Sequence, residues 1–227
     1  MSNTPSSTDT VAAASSRHNG QDVAATVGYF DPCEPVANLT GSLPHWRQAG
    51  VTYFVTFRCA DALPQDKLIE WQQELERWLT EHPEPHDLVN RGEFYRRFPA
   101  RLQRWLDAGY GSCPLRDSAD RATVESALRF FDGQRYHLID FVVAANHVHG
   151  IVSPLSGFEL SAILHSWKSY TANQINRRRG QKGAFWQKET FDHIVRSSES
   201  LQRFQDYIRA HDTVMTAAQS GCGFQPR

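Results

Sequence analysis

Hydrophobic positions recur along this chain with two different periods, and the period predicts the type of each element. Short runs of β-branched and aromatic residues predict strands, whereas apolar residues that return every three or four positions predict amphipathic helices. The predicted strands are Thr52–Arg58, Arg135–Val143, Val148–Val152 and Phe191–Val195. The predicted helices follow Pro64, cover Arg97–Leu106 and Arg121–Phe131, extend from Leu160 to Gly180, and begin at Ser198.

The order of these elements predicts the fold class. Only Ala144 to His147 separate the second strand from the third, so these two strands should form an antiparallel hairpin. The other connections contain helices, which gives two strand–helix–strand arms around one sheet. This order predicts an α+β, ferredoxin-like sandwich: a central antiparallel sheet with helices packed on it, plus a helical insertion after the first helix.

The distribution of residue types divides the chain into three parts. Residues 1–40 are rich in Ser, Thr, Ala, Asn and Pro without a sustained period, which is typical of a disordered leader. Residues 41–215 contain all the predicted elements and should form one domain, a length that can enclose a proper core. Residues 216–227 are expected to be a short C-terminal tail.

The formal net charge of −1 hides an uneven distribution. Residues 61–87 carry eight acidic and two basic side chains, whereas residues 168–196 carry seven basic and two acidic ones. A nearly neutral protein can therefore present a basic face to a polyanion. A solvated helix surface remains an open alternative for either segment.

The cysteines and the N-terminus indicate the compartment. The four cysteines are far apart and form no Cys-x-x-Cys pair, which favours a reduced cytoplasmic protein over a disulfide scaffold. No apolar stretch approaches the roughly 18 residues that a membrane helix needs. The N-terminus also lacks the pattern of a signal peptide. We therefore expect a cytoplasmic protein without a membrane partner.

Two histidines are the first candidates for chemistry. His147 and His149 stand two residues apart in a predicted hairpin strand, so both side chains should project from one face of the sheet. Two imidazoles on one face are suited to chelate a divalent ion. The alternative is that one histidine lies at the surface and the other is a hydrogen-bonded core residue.

The last predicted helix supplies two further candidates. Leu201, Phe204 and Ile208 form its apolar stripe, and Tyr207 and His211 lie together along one edge of that stripe. Packed on the sheet, the helix could hold a phenol and a third imidazole against the histidine pair. The alternative for Tyr207 is an amphipathic residue at the edge of the core with its hydroxyl in water.

The segment Asn146-His-Val-His149 resembles the HUH signature of single-tyrosine transposases, and its surroundings resemble the REP-associated tyrosine transposases of bacteria. The resemblance extends in order over about residues 40–212. The segments that carry it are Leu43–Gln48, Gly50–Arg58, Phe131–Tyr136, His165–Thr171 and Phe185–Asp192.

The resemblance implies an activity and roles for the candidates. It implies cleavage of single-stranded or hairpin DNA near repetitive extragenic palindromes, through a 5′-phosphotyrosine on Tyr207, by a monomer or a homodimer. It also implies metal binding by His147 and His149 with a third ligand at His211, where family members usually have an amide. The cofactor would be Mg²⁺ or Mn²⁺, and a third imidazole favours Mn²⁺ or softer ions.

Basic residues interleaved with aromatic ones are candidates for holding single-stranded DNA. One group surrounds Trp186, and the other lies near Phe94 and Phe98. Solvated arginines over a hydrophobic ridge are an equally good interpretation of each group. The predicted DNA-binding residues are Arg177, Arg178, Arg179, Lys182, Lys188, Arg96 and Arg97.

Three alternatives remain open at this point. A histidine-triad nucleotide hydrolase would need another histidine where Ile151 stands. A non-catalytic hairpin-DNA binder derived from a transposase would keep the DNA surface without the cleavage. Tyr170 is a rival nucleophile, although it lies at the edge of an apolar stripe where a phenylalanine would serve equally well.

Overall fold

A computed structural model of the protein describes residues 27–39, 45–83 and 88–219. The strands are β1 (Ala37–Leu39), β2 (His45–Arg47), β3 (Tyr53–Arg58), β4 (Tyr136–Val143), β5 (His147–Pro154) and β6 (Phe191–Ile194). The helices are α1 (Gln65–Glu81), α2 (Leu88–Arg97), α3 (Pro99–Asp107), α4 (Ser118–Arg129), α5 (Leu160–Arg179) and α6 (Ser198–Gln219). None of the helices in the described part combines the length and the apolar character that crossing a membrane requires.

The central sheet has four strands in the order β4-β5-β3-β6, and each neighbouring pair is antiparallel. The first strand of the central sheet in chain order, β3, therefore lies inside the sheet, and β6 returns to its outer side after α5. This order of strands and crossovers is that of a ferredoxin-like sandwich. The predicted α+β fold is confirmed, including the tight hairpin between β4 and β5.

The side chains of β5 alternate between two differently covered faces. Val148 and Val152 contact α5 and α4 within the largest apolar cluster, on the side that we call the α5 face. His147, His149 and Ile151 point to the opposite side, which we call the α6 face because α6 covers it. The twofold period of the strand thus separates a purely apolar surface from one that carries polar groups.

Buried aromatic residues on the α5 face have their polar atoms paired. The indole nitrogen of Trp167 donates to the Tyr136 hydroxyl over 2.9 Å, and that hydroxyl donates to the Leu128 carbonyl oxygen over 2.7 Å. The indole of Trp186 donates to the Thr171 hydroxyl over 2.8 Å. Large apolar surfaces are therefore buried without orphaned donors, which makes this face the main source of stability.

The insertion between α1 and α4 contains two helices, α2 and α3, where the sequence predicted one short helix at Arg97–Leu106. Phe94 of α2 and Phe98 pack on Trp78 of α1 in a separate small cluster. The sequence of α2 gives no clear apolar stripe, since Val89 is exposed and Gly92 lies within the helix. The insertion matters because α3 ends at Asp107, beside the α6 face.

Residues 27–39, which the sequence assigns to the leader 1–40, are already packed on the domain. The Phe30 amide donates to the Val195 carbonyl, and the Thr52 amide donates to the Gly28 carbonyl over 2.8 Å. A Cβ atom at Gly28 would lie 1.7 Å from the Gly50 carbonyl oxygen, so the chain can approach this closely only as glycine. The structure thus shows contacts with the domain before the predicted boundary at residue 40. Residues 1–26 of the predicted leader and 220–227 of the predicted tail lie outside the described residues.

Candidate active site

The paired histidines lie at the first and third positions of β5, on the α6 face. Both are almost completely enclosed, with 1% and 0% of their surface exposed for His147 and His149. Across the sheet they pair with Arg58 and Thr56 of β3, and their ring centroids are 4.5 Å apart. The predicted placement on one face is therefore what the structure has.

Each imidazole is oriented by a hydrogen bond to its Nδ1 atom. Asn146 donates its amide nitrogen to the Tyr110 carbonyl, which turns its side-chain oxygen towards His147 Nδ1 at 2.8 Å. Since an amide oxygen only accepts, His147 carries its proton on Nδ1 and presents a lone pair at Nε2. The Thr56 hydroxyl lies 2.8 Å from His149 Nδ1 and orients the second ring. Both Nε2 atoms consequently face the site.

Helix α6 brings the two other predicted side chains to this pair. Leu201 and Ile208 anchor the helix to the α6 face, where Phe54 stacks on Phe204. The Tyr207 hydroxyl then lies 3.4 Å from His149 Nε2. One turn later, the His211 ring centroid is 5.6 Å from that of His147 and 5.3 Å from that of His149.

A fourth polar group, Asp107 at the end of α3, completes the cluster. Its Oδ1 atom lies 3.2 Å from His211 Nε2 and 3.8 Å from His147 Nε2, and it accepts a 3.4 Å hydrogen bond from Tyr207. Gln103, one turn earlier in α3, also donates to this carboxylate over 2.9 Å. Asp107 was not predicted from the sequence, because nothing in the local pattern of the insertion links it to a strand 40 residues away.

The cluster fits a divalent metal ion. One potential ligand atom each from Asp107, His147, His149 and His211 lies within 4.8 Å of all the others. His147 Nε2 is buried and has no hydrogen-bond partner among the described residues, which is costly unless a ligand uses its lone pair. Three imidazoles and one carboxylate are a donor set that transition-metal ions such as Mn²⁺ accept readily.

Burial sets the protonation of these groups. It lowers the pKa of His147 to about 3, with His211 and Arg58 acting in the same direction, and it lowers that of His149 well below the usual range. For Asp107, burial works against ionisation, but hydrogen bonds from His211 and Gln103 keep its pKa below the ordinary value. At neutral pH the imidazoles of His147 and His149 are therefore uncharged, and the carboxylate of Asp107 beside them is ionised. This is the state that binds metal.

The predicted DNA-binding residues are not gathered in one place. Arg178 and Arg179 of α5 form ion pairs with the fully buried Asp120 of α4, and Arg97 pairs with Glu74. These three arginines thus already hold helices together. The remaining predicted residues, Arg96, Arg177, Lys182 and Lys188, are exposed.

Tyr170, the rival nucleophile, is 52% exposed on α5. It lies on the helix that covers the α5 face, so the sheet separates it from the histidine pair. The structure brings Tyr207, and not Tyr170, to the cluster.

Several solved structures are similar to this chain, and two of them are related to transposases by name. One is a REP-associated tyrosine transposase bound to a REP hairpin, with 14% identity and a TM-score of 0.42, where the match covers 77% of this chain and 73% of that one. The other is a protein of Deinococcus radiodurans R1 proposed to be a transposase, with 12% identity, a TM-score of 0.34 and 73% and 93% coverage. No match to the chain was found among curated proteins.

A family model provides the sequence-level match. The model for the IS200-like transposases matches residues 115–211. This segment contains both strands of the hairpin and the part of α6 that reaches the site. Of the four clustered groups only Asp107 lies outside it. The segment that builds most of the site is thus similar to the IS200-like transposases.

Proposed function

We propose that the protein is a metal-dependent endonuclease and strand transferase for single-stranded DNA, with Tyr207 as the nucleophile. The observation that carries the proposal is the position of the Tyr207 hydroxyl, 3.4 Å from both His149 Nε2 and Asp107 Oδ1. A phenol held among potential metal ligands, in a segment similar to the IS200-like transposases, is suited to attack a phosphodiester.

The chain's own residues supply the nucleophile and a path for its proton. The Tyr207 oxygen would form a bond to the phosphorus atom, and the bond from phosphorus to the 3′ oxygen would break. The products are a 5′-phosphotyrosine and a 3′-hydroxyl, so the phosphodiester energy is kept for a later rejoining. The hydroxyl proton of Tyr207 points to Asp107, which is the nearest acceptor that is ionised at neutral pH.

His147, His149, His211 and Asp107 would together hold the divalent ion. When bound, such an ion neutralises charge on a non-bridging phosphate oxygen and lowers the barrier to attack by an anionic nucleophile. The three imidazoles favour Mn²⁺ or a softer ion over Mg²⁺, which prefers oxygen ligands. Asn146 and Thr56 would act as the outer groups that fix the two histidine rings.

We further propose that the substrate is hairpin DNA of the repetitive extragenic palindrome type, because segments such as His165–Thr171 and Phe185–Asp192 resemble those of the REP-associated tyrosine transposases. The exposed Lys182 and Lys188 lie in the connection after α5 and are available to phosphates. The site would act on cytoplasmic DNA in a bacterium, as a monomer or a homodimer.

One contact favours a second candidate function, a hairpin-DNA binder without cleavage. The Gln103 amide nitrogen lies 3.1 Å from His149 Nε2 and thus competes for the lone pair that a metal would need. If that hydrogen bond outlasts the addition of metal, the site is a structural polar cluster. A histidine-triad hydrolase gains no support, since Ile151 is fully buried in the apolar cluster under α6.

The test is formation of a covalent protein–DNA adduct. The protein is incubated with repeat-type hairpins and Mn²⁺, and the mixture is separated under denaturing conditions. We expect an adduct with the unaltered protein and with the control Tyr170→Phe, and none with Tyr207→Phe, which should still bind the hairpin. Hairpin binding without an adduct in any variant would establish the binder instead.

A further inference from the structure

Arg58 is a charged residue that lies beside the histidine pair. It is the last residue of β3 and stands directly opposite His147 in the β3–β5 register. Opposed residues of an antiparallel pair project from the same face, with Cβ atoms about 5 Å apart. The Arg58 side chain therefore starts on the α6 face, next to one of the two metal-ligating histidines.

Only one edge of its guanidinium group is engaged. Gln187 accepts a hydrogen bond from Arg58 Nε and donates its backbone amide to the Arg58 carbonyl over 2.9 Å. The Gln187 amide nitrogen is itself held by the Ala60 carbonyl. Gln187 thus fixes the direction of the side chain while the two terminal nitrogens make no hydrogen bond or ion pair to the described residues.

This state differs from that of the other half-buried arginines. Arg47 forms an ion pair with Asp192, and Arg179 forms one with Asp120. Arg58 has no such carboxylate within ion-pair distance in the described part of the chain, and Glu189 acts on it only over a longer range. A cation that is removed from water without a partner is unfavourable, which points to an anion that arrives from outside.

Arg58 also keeps its charge at neutral pH. Burial lowers the pKa of Arg58 to about 10, which still leaves the guanidinium protonated in the cell. Its positive charge reaches the site, since it contributes to the low pKa of His147. Two parallel N–H donors and a permanent charge match the two non-bridging oxygens of a phosphodiester.

We propose that Arg58 binds the phosphate group that Tyr207 attacks, donating from its terminal nitrogens to the non-bridging oxygens beside His147. The inference rests on the proposed function, because it assigns a second contact to the same scissile group. Arg58 is then a catalytic residue that neutralises the charge that develops on the phosphate during attack. Gln187 is the residue that positions it.

The first measurement is DNA binding as a function of salt, with Mn²⁺ present and Tyr207→Phe as background so that no cleavage occurs. The substitution Arg58→Gln should reduce the slope of log Kd against log salt by about 0.7, the value for one phosphate contact on a single strand. The control is Arg129→Gln, which removes the same charge from α4 on the α5 face and should leave the slope unchanged. An unchanged slope in Arg58→Gln overturns the proposal.

The second measurement places the contact at the scissile linkage. A neutral methylphosphonate at the linkage that the protein cleaves should weaken binding about 10-fold when Arg58 is present, since one charge-assisted contact is lost. With Arg58→Gln it should cause little further loss. Equal losses in both proteins would show that Arg58 contacts another phosphate or none, and would overturn the assignment.

The third measurement is the rate of adduct formation with Tyr207 restored. Arg58→Gln should slow it by about 10² to 10³-fold, and Arg58→Lys, which keeps the charge but not the paired donors, by less. The Lys variant also covers the case in which Arg58→Gln fails to fold. A slower adduct with an unchanged salt slope would indicate an effect through His147 and contradict direct contact. If the unaltered protein forms no adduct but the slope still falls, the nuclease proposal fails while Arg58 stands as a phosphate ligand.

Discussion

The two faces of the central sheet are built from the same strands but have different roles. On the α5 face, Val148 and Val152 of β5 meet an extended apolar cluster under two helices. On the α6 face, His147 and His149 meet α6 and the end of α3, and the apolar cluster has only six buried residues in the described part of the chain. A single strand thus contributes alternately to stability and to the polar site.

The comparison of the two faces shows how the protein tolerates the buried polar cluster around His147 and His149. Asn146 and Thr56 each pair with one ring nitrogen of a histidine, and His147 Nε2 is left for a ligand. The apolar face supplies the stability that the α6 face does not. Substitutions on the α6 face should therefore change metal affinity, and substitutions on the α5 face should change the free energy of unfolding.

The largest effect is expected from His147→Ala on the α6 face. Loss of this ligand should weaken Mn²⁺ binding by more than about 100-fold, which exceeds the usual effect of losing an outer group. The neighbour Val148→Ala, on the other face, should change the affinity by less than about threefold. Isothermal titration with Mn²⁺ measures both. Equal affinities in the two variants would mean that the cluster is not the metal site.

The substitution Ile163→Ala on α5 should have the opposite pattern of effects: lower stability with unchanged metal affinity. Ile163 is buried in the α5 face cluster, and removal of its side chain should lower the free energy of unfolding by about 3 kcal/mol. Metal affinity, measured while the protein is still folded, should stay within about threefold of the unaltered value. Denaturant unfolding followed by fluorescence gives the first quantity. A loss of metal binding at full folding would show that the faces are coupled.

A smaller effect on metal affinity is expected from Asp107→Asn, at the site residue that was not predicted from the sequence. An amide is a poorer ligand than a carboxylate, so Mn²⁺ affinity should fall by about 10-fold. Glu93→Gln, which removes one negative charge from a partly exposed position of α2, is the matched control and should have no effect. If both variants bind Mn²⁺ as the unaltered protein does, Asp107 serves only to hold His211 and Tyr207.

The smallest effect is expected on the pH dependence of stability. It comes from His193, which packs on Phe204 under α6. Burial lowers the pKa of His193, and Arg196 adds to this while Asp192 opposes it. The unfolded chain takes up a proton near pH 6.5 and the folded protein only at lower pH. The stabilising contribution is thus present above about pH 6.5 and is lost as the pH falls through the lowered value.

His193→Gln should accordingly make the fall in unfolding free energy between pH 7 and 5 shallower. Metal-free protein is unfolded with urea at each pH to measure it. A decline of the same sign should remain, because the pKa values of His147 and His149 are lowered by burial as well. An identical pH profile in the variant would mean that His193 keeps an ordinary pKa.

Much of the fold was predictable because its signals are local. Alternation within β5 placed His147 and His149 on one face, and the four-residue spacing in α6 placed Tyr207 beside His211. The short connection before His147 predicted the hairpin. Each of these inferences needs only the geometry of one element or one turn.

The remaining features depend on contacts between distant segments. Asp107 reaches the site because the insertion packs on α1, and no period in the sequence shows where a helix end will lie. A basic run likewise does not show that Arg178 and Arg179 meet the buried Asp120. Strand β1 lies in a segment whose composition resembles that of a disordered leader, but its pairing with β2 orders it.

The most direct test of the central claim is to identify the amino acid that becomes linked to DNA. Protein that has reacted with a repeat-type hairpin and Mn²⁺ is digested with protease and nuclease, and the modified peptide is sequenced by mass spectrometry. The account predicts a nucleotide joined through its 5′ phosphate to Tyr207, in the peptide that contains Asp206 and Ile208. A nucleotide on Tyr170 or on any other residue would contradict it.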